Sequence, residues 1–380
     1  MQLDINPDLA EMRPTVRRFV TEQLEPMALQ IDALGEVPAQ VLGALQAQGY
    51  LGMRLPANLG GAEADLSTYC LVMEELGRSH RVFTLMLDAS SGLTPIAIAR
   101  FGTEEQKARY VPGLADGSQR ASFGLTEPDA GSDAAALRTR AKKVEGGWSI
   151  SGMKHYISGA HRADVVMVLA VTDPALKARG GITAFLVDRG TPGMEITRTD
   201  KTIGSDPIQI SEIRFEDCVV GDAAVLGAVG QGFAIAMGSL VSGRMGVSAA
   251  CIGTADRLLE IAIDYAKTRT TFGQPLSERQ AIQWMLADSA TELALARSLA
   301  YETLRRIDAG EDTGSAPSMV KLFCSEMVGR IADRAVQILG GAGLIRGVHV
   351  ERFYRDVRHY RIGEGSSEIQ RMLIARDILR

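Results

Sequence analysis

The sequence predicts a mainly α-helical chain with a small β domain set in its middle. An N-terminal helical domain over 1–117 leads into a β-barrel or sandwich-like domain over 118–222, and a C-terminal four-helix bundle occupies 223–380. Three observations predict this. Apolar residues recur three and four apart up to about residue 112; β-branched runs parted by Gly, Asp or Pro replace that period after 118; the helical period returns at Gly232 and holds to the end.

In the first part Val16, Phe19, Val20 and Leu24 share one helical face, as do Val41, Leu42 and Leu45 in PAQVLGALQAQGYLGM. Pro26, Pro38 and Leu59-Gly60-Gly61 punctuate the stretch into several helices. The Leu-, Met- and Ala-rich run from Leu66 to Arg100 reads as two long helices broken near Gly92. Thr103, with Gln106 three residues on, is a capping-box start. The middle part supplies KKVEGGWSISG, ADVVMVLAV, GITAFLVD, GMEITRT and IQISEIRFED, and Glu145-Gly146-Gly147 between two such runs signals a hairpin. The last part carries IGTADRLLEIAIDYAKTR and AIQWMLADSATELALARSLAYETLRRI, stretches long enough to build a bundle.

Composition closes several functional classes. At 380 residues, 46% hydrophobic and 23% charged, the chain is long enough for two or three domains and apolar enough to fold. Lys plus Arg number 41 against 46 Asp plus Glu, a net −5 that does not suit nucleic-acid binding. Cys70, Cys218, Cys251 and Cys324 are far apart with no CxxC, so neither a disulfide framework nor a zinc site is expected, and a reducing compartment is. The first 16 residues lack the apolar core of a signal peptide. The longest apolar run, 165–171, falls far short of the roughly 20 residues a bilayer span needs. A cytoplasmic protein without a membrane segment is the expectation.

No GxGxxG follows a predicted strand, and GxxxxGK[ST], GxSxG and HExxH are all missing. The five histidines are dispersed; His155 and His161, the nearest pair, have no carboxylate or thiol at ligand spacing, so no metal site is expected. Catalysis, if present, would rest on a carboxylate base or an organic cofactor. Three segments could carry it. SFGLTEPDAGSDAA at 122–135 is too polar and Gly-rich for an element interior; it is either an ordinary capped loop or one presenting hydroxyls and N–H groups to a ligand. QILGGAGLIRG at 337–347 runs a helix into Gly340, Gly341 and Gly343, more glycine than a helix stop alone requires. In RDVRHYRIGEGSSEIQRMLIARDIL, Glu364 stands between Gly363 and Gly365 beside Ile362. It is either a solvated capping residue or a desolvated general base.

In this order the three segments resemble the acyl-CoA dehydrogenase family. FGLTEPDAGSDAAALRTRA is similar to its first signature and QILGGAGLIRGVHVERFYRDVRHYRIGEGSSEIQRMLIARDIL to its second. KHYISGAHRAD, GQGFAIAMGSLVSGRMGVSAACIG and YAKTRTTFGQPLSERQAIQWMLAD have counterparts between them, so the likeness covers essentially the whole chain.

The resemblance implies an FAD-dependent α,β-dehydrogenation of an acyl-CoA thioester to the trans-2-enoyl-CoA. Glu364 would take the α-proton, flavin N5 the hydride, and an electron-transfer flavoprotein the electrons. The alternative base position of the family falls on Gly243, before Arg244, and cannot act. The thioester oxygen would accept from the Glu364 N–H and a ribityl hydroxyl. Flavin contacts are implied for Phe123, Leu125, Thr126, Ser132, Tyr156, Ser158, Arg269, Phe272 and Gln280, with Gln337 and Gly341 reaching the cofactor from a neighbouring subunit and Ser366 and Glu368 completing the site. Ser132, Arg244 and Gly365 are implied on the CoA side, and a homotetramer follows from the shared site. The chain departs from the family's commonest pattern at Tyr156, Ser158, Val241, Gly363 and Ser366. Gly363, in place of a bulky aromatic, suggests open space beside the reacting carbons and a branched or cyclic acyl group. Arg81 is expected on the solvated surface. The same fold and flavin could instead serve an acyl-CoA oxidase or an enoyl-CoA reductase, and a helical interaction protein that has lost catalysis is the reading from another class.

Overall fold

A computed structural model of the chain describes residues 7–204 and 207–380. Helices α1 (Pro7–Phe19) and α2 (Glu25–Leu34) are joined through a π-helical turn at Val20–Leu24. Pro26 therefore ends nothing: it sits in the first turn of α2, where its missing N–H costs no hydrogen bond. Helices α3 (Ala39–Ala47), α4 (Leu66–Gly77), α5 (Arg81–Ser91), α6 (Leu93–Phe101) and α7 (Glu104–Asp116) follow. Asp65 caps α4, and Thr103 with Gln106 forms the capping box of α7. The run from Leu66 to Arg100 is three helices, not two. Besides the break at Gly92, the chain turns at Arg78-Ser79-His80, where the His80 ring accepts from the Val82 N–H at 3.1 Å.

Strands β1 (Ala121–Gly124), β2 (Arg140–Val144), β3 (Gly147–Ser158), β4 (Val165–Val171), β5 (Ile182–Asp188), β6 (Met194–Asp200), β7 (Ile210–Gly221) and β8 (Val225–Leu226) form one sheet. Its order is β6-β7-β3-β2-β4-β5-β8, with β1 parallel to β4. The first residues of the polar segment at 122–135 are thus strand. β2 and β3 form the expected hairpin over Glu145-Gly146, with Gly146 at φ 73°. β4 reads as a continuous apolar run because both its faces are covered. Val165, Met167 and Leu169 pack toward the helices of the first part, while Val166, Val168 and Ala170 fill the opposite side of the sheet.

The C-terminal part holds α8 (Gly232–Thr268), a small hairpin of β9 (Thr270–Thr271) and β10 (Gln274–Pro275), α9 (Gln280–Asp308), α10 (Ala316–Leu339), α11 (His349–Val357) and α12 (Ser367–Ile378). One apolar core runs from α1 through α4 and α5 into α8, α9 and α10, so the two helical parts are packed as one. Small residues let α4 and α8 approach: a Cβ on Gly77 would lie 2.6 Å from the Ala250 carbonyl oxygen. Two stretches, Arg81–Phe101 and Gly232–Thr268, are in fact long and apolar enough to cross a bilayer by length and composition, contrary to the short-run expectation; most of their residues are buried in the fold, as core helices are. The four cysteines are buried and free.

Candidate active site

The last segment builds the site. After α11 the chain makes a 3-10 turn at Arg358–Arg361 and passes through Glu364 at φ 57° and Gly365 at φ 90° before Ser366 caps α12, its Oγ accepting from the Ile369 N–H at 3.4 Å. A left-handed glutamate is strained by about 1–2 kcal/mol, so something must hold it. Gln370 does, donating to the carbonyl oxygens of Glu364 at 3.0 Å and Gly365 at 2.9 Å. Lys321 of α10 donates to the Gly365 carbonyl at 2.6 Å, and Arg244 Nε of α8 approaches the Glu364 carbonyl at 3.5 Å. Three long polar side chains thus fix the backbone, which aims the carboxyl inward.

The Glu364 side chain points at Gly243. A Cβ there would lie 2.5 Å from Glu364 Oε2, so only glycine at this position of α8 accommodates the carboxyl. Oε2 is buried and has no hydrogen-bond partner among the described residues. Burial, with the like charge of Asp88 added, pushes the Glu364 carboxyl up to about 8, against the opposing pull of Arg244 and Lys321. Burial likewise holds the Lys321 ammonium down at about 8. The two cations spend their hydrogen bonds on backbone carbonyls and act on Glu364 through space alone.

Two sequence expectations change here. The space at Gly363 is not open: a Cβ there would lie 2.9 Å from His359 Nε2, so an imidazole fills the volume a bulky residue would take. The inference of a branched or cyclic acyl group loses its basis. Arg81 is not solvated either. It is 6% exposed, with its guanidinium carbon 5.4 Å from the Tyr360 ring centre, and its charge is the first cause holding His359 well below the usual histidine range.

The residues implied for a flavin form a second group. Phe123, Leu125 and Thr126 leave β1 beside Tyr156 and Ser158 of β3, joined by His155 N–H to the Thr126 carbonyl at 2.8 Å and Ser122 Oγ to the Ser158 carbonyl at 2.9 Å. Beneath them lies a pair whose two residues fall in singled-out segments but whose pairing the sequence does not show. Lys154 is fully buried, donating to Glu127 Oε1 at 2.7 Å and to the Leu125 carbonyl at 3.1 Å, while Glu127 also accepts from the N–H groups of Arg138 and Thr139. A charged pair thereby sets the curve of the loop. Ser132 is exposed farther along it.

Tyr156, at φ 58°, is 59% exposed and stacks on His155 at 3.9 Å; Phe272, at φ 49° in the β9–β10 hairpin, is 99% exposed. Arg269 and Gln280 flank that hairpin, and Gln337 and Gly341 are exposed at the end of α10, where a Cβ on Gly340 or Gly341 would meet nothing within 4 Å. Among the described residues no hydrogen bond joins the hairpin to Gln337 or Gly341. Glu368 is exposed in the first turn of α12. Aromatic faces held outward on left-handed backbone, a polar loop with buried charges beneath it and a bare Gly-Gly helix end suit a flat heteroaromatic with a diphosphate tail. Fold and site together are those of a flavoprotein oxidoreductase.

Comparison with known proteins agrees. The acyl-CoA dehydrogenase N-terminal domain matches residues 6–118, the middle domain 122–218 and the C-terminal domain 230–379. An acyl-CoA dehydrogenase of Bacillus subtilis is 37% identical over 377 residues, 99% of each chain. A 3-(aryl)acrylate reductase of Clostridium sporogenes is 36% identical over 369 residues, 97% of this chain and 98% of that protein. The structure of butyryl-CoA dehydrogenase from Megasphaera elsdenii superposes with a TM-score of 0.94 at 32% identity, covering 100% of each chain. The chain belongs to the acyl-CoA dehydrogenase family, a family of FAD enzymes.

Proposed function

We propose that this protein removes hydrogen from the α- and β-carbons of an acyl-CoA thioester, with Glu364 as the base. The single observation carrying this is the Glu364 carboxyl: its tip is buried, Oε2 has no partner among the described residues, and Gly243 leaves it room. FAD, when bound, supplies the hydride acceptor. The protein's own part is to orient and to move one proton. Leu125, Thr126, Tyr156 and Ser158 would hold the flavin ring, Ser132, Arg269, Phe272 and Gln280 its extended half, and Gln337 and Gly341 would reach it from a second copy within a homotetramer. The Glu364 N–H would donate to the thioester carbonyl, which acidifies the α-carbon and stabilises the enolate-like charge. Arg244 and Lys321 keep a carboxylate attainable in a dry site, and the entering acyl chain completes the exclusion of water.

An electron-transfer flavoprotein is the acceptor we assign; a structure similar to this chain, at TM-score 0.94, was solved in work on the electron transferring flavoprotein of Acidaminococcus fermentans. A cytoplasmic setting fits the four free thiols. The relative named as a 3-(aryl)acrylate reductase supports a second reading, the same site run in the direction of reduction. Anaerobic visible spectra of the FAD-loaded protein test both. Bleaching by a saturated acyl-CoA is expected, and Glu364→Gln should retain the flavin band while slowing bleaching by about 10²–10⁴-fold. Bleaching of the variant at the native rate would overturn the assignment of the base. Re-oxidation of reduced protein by enoyl-CoA alone, with no bleaching by any saturated thioester, would favour the reductive direction.

A further inference from the structure

A second set of buried polar groups lies beside Glu364 and plays no part in proton transfer. Tyr69 of α4, 1% exposed, donates from Oη to Asp88 Oδ1 of α5 at 3.3 Å. The Arg54 guanidinium carbon lies 5.2 Å from the Tyr69 ring centre, and Arg54 Nη1 is buried with no hydrogen-bond partner among the described residues. Asp88 is half-buried, and Tyr69 is its hydrogen-bond donor among the described residues; Arg54 feels its charge without bonding to it. A protein that only packed an alkyl chain here would have no use for an orphaned guanidinium N–H and a carboxylate on either side of one tyrosine.

Helix α8 relates this group to the base. Gly243 faces Glu364, and three residues on Gly246 faces Tyr69, a Cβ there falling 3.0 Å from Tyr69 Cε1 and 3.4 Å from its Oη. Three residues, about 4.5 Å along the axis, separate the two. Positions three apart share one helix face, so Glu364 and Tyr69 pack against the same side of α8. A chain whose α-carbon meets Glu364 would run on toward Tyr69 and Asp88 within a few bonds.

The polar set selects by charge. An acyl carboxylate would oppose Asp88 and an ammonium would oppose Arg54, whereas a hydroxyl accepts from the Arg54 N–H and donates to the Asp88 carboxylate. We propose that Arg54, Tyr69 and Asp88 form the polar end of the acyl site and that the preferred substrate is a short acyl-CoA bearing a hydroxyl beyond its β-carbon. This rests on the acyl-CoA reading above.

The test compares kcat/KM of the FAD-loaded enzyme for 4-hydroxybutyryl-CoA against butyryl-CoA and for 5-hydroxyvaleryl-CoA against valeryl-CoA. One hydroxylated chain should win by at least about tenfold, the range of a hydrogen bond to a charged group, and Asp88→Ala should bring that ratio down to about one. Flavin content and a cooperative thermal unfolding transition show whether the variant is folded. Should it not fold, Arg54→Met, read the same way, replaces it. Plain chains turned over as well as hydroxylated ones would overturn the proposal and leave the dehydrogenase reading standing, water being then the partner of Arg54 and Asp88. No flavin bleaching by any of the four thioesters would take down both.

Discussion

Two glutamates of this molecule, Glu74 and Glu364, each keep a carboxyl oxygen out of water and are opposite in chemistry. Glu74 of α4 is 0% exposed, and its carboxylate accepts from Arg13 at 2.7 Å, Arg297 at 2.8 Å and Tyr301 Oη at 2.7 Å. Burial pushes it up, yet the charges of Arg297 and Arg13 overcome that and hold it down at about 2. At Glu364 burial wins and the carboxyl rises to about 8. Cations stand near both. The difference is where their N–H groups go: at Glu74 to the carboxylate, at Glu364 to backbone carbonyls. Withholding a partner is what turns a buried ion pair into a base.

The comparison breaks first on stability. Glu74→Gln leaves two half-buried guanidinium groups short of a fully buried acid and should cost about 3–5 kcal/mol in urea unfolding. Glu364→Gln removes a group whose ionised form the fold disfavours and should leave stability equal or higher. Equal losses in the two variants would show that burial, not partnership, sets their behaviour. Stability against pH sharpens this with opposite signs. The folded Glu74 has a lowered pKa, so its contribution is present above about 4.5 and fades as pH falls toward about 2. The folded Glu364 has a raised pKa, so stability is lost as pH rises from about 4.5 through about 8.

A smaller effect follows on rate. Because the free enzyme must ionise Glu364 before it acts, kcat/KM should rise with pH, tenfold per unit, and level off near 8. Asp88→Asn removes the like charge and should move that rise to lower pH. A profile unmoved by this variant would mean that the two carboxyls do not share one space.

How much of this was legible in the sequence differs by region. The helical, β, helical order was, because periods of three to four and runs of β-branched residues are local signals. Glu364 was singled out by its flanking glycines, and the backbone then placed it at a left-handed turn. The partners were not legible. Lys154 and Glu127 lie 27 positions apart, Lys321 and Gly365 lie 44 apart, and no local pattern marks either pair. A lone lysine in the apolar run SMVKLFC and a lone aspartate in LMLDASS were the available hints, since a charge on an apolar helix face needs a reason. The space at Gly363 was misjudged for the same cause: His359 is only four residues away, but that its ring lies against Gly363 is a matter of tertiary packing that no local pattern shows. Flavin-side roles came from resemblance alone.

The mildest perturbation examines how firmly the base is held. Gly365 has φ 90°, and a Cβ there would lie 2.8 Å from Gln370 Nε2, the group that donates to both Glu364 and Gly365 carbonyls. Gly365→Ala should therefore cost about 1–2 kcal/mol from the backbone and also push the amide aside. If Gln370 only supports the loop, kcat should fall no further than in Gln370→Ala, and the two changes together should be no worse than either alone. Additive losses would mean that Gly365 acts separately, by letting a ligand approach its backbone closely, and that the frame behind Glu364 is stiffer than one amide can account for.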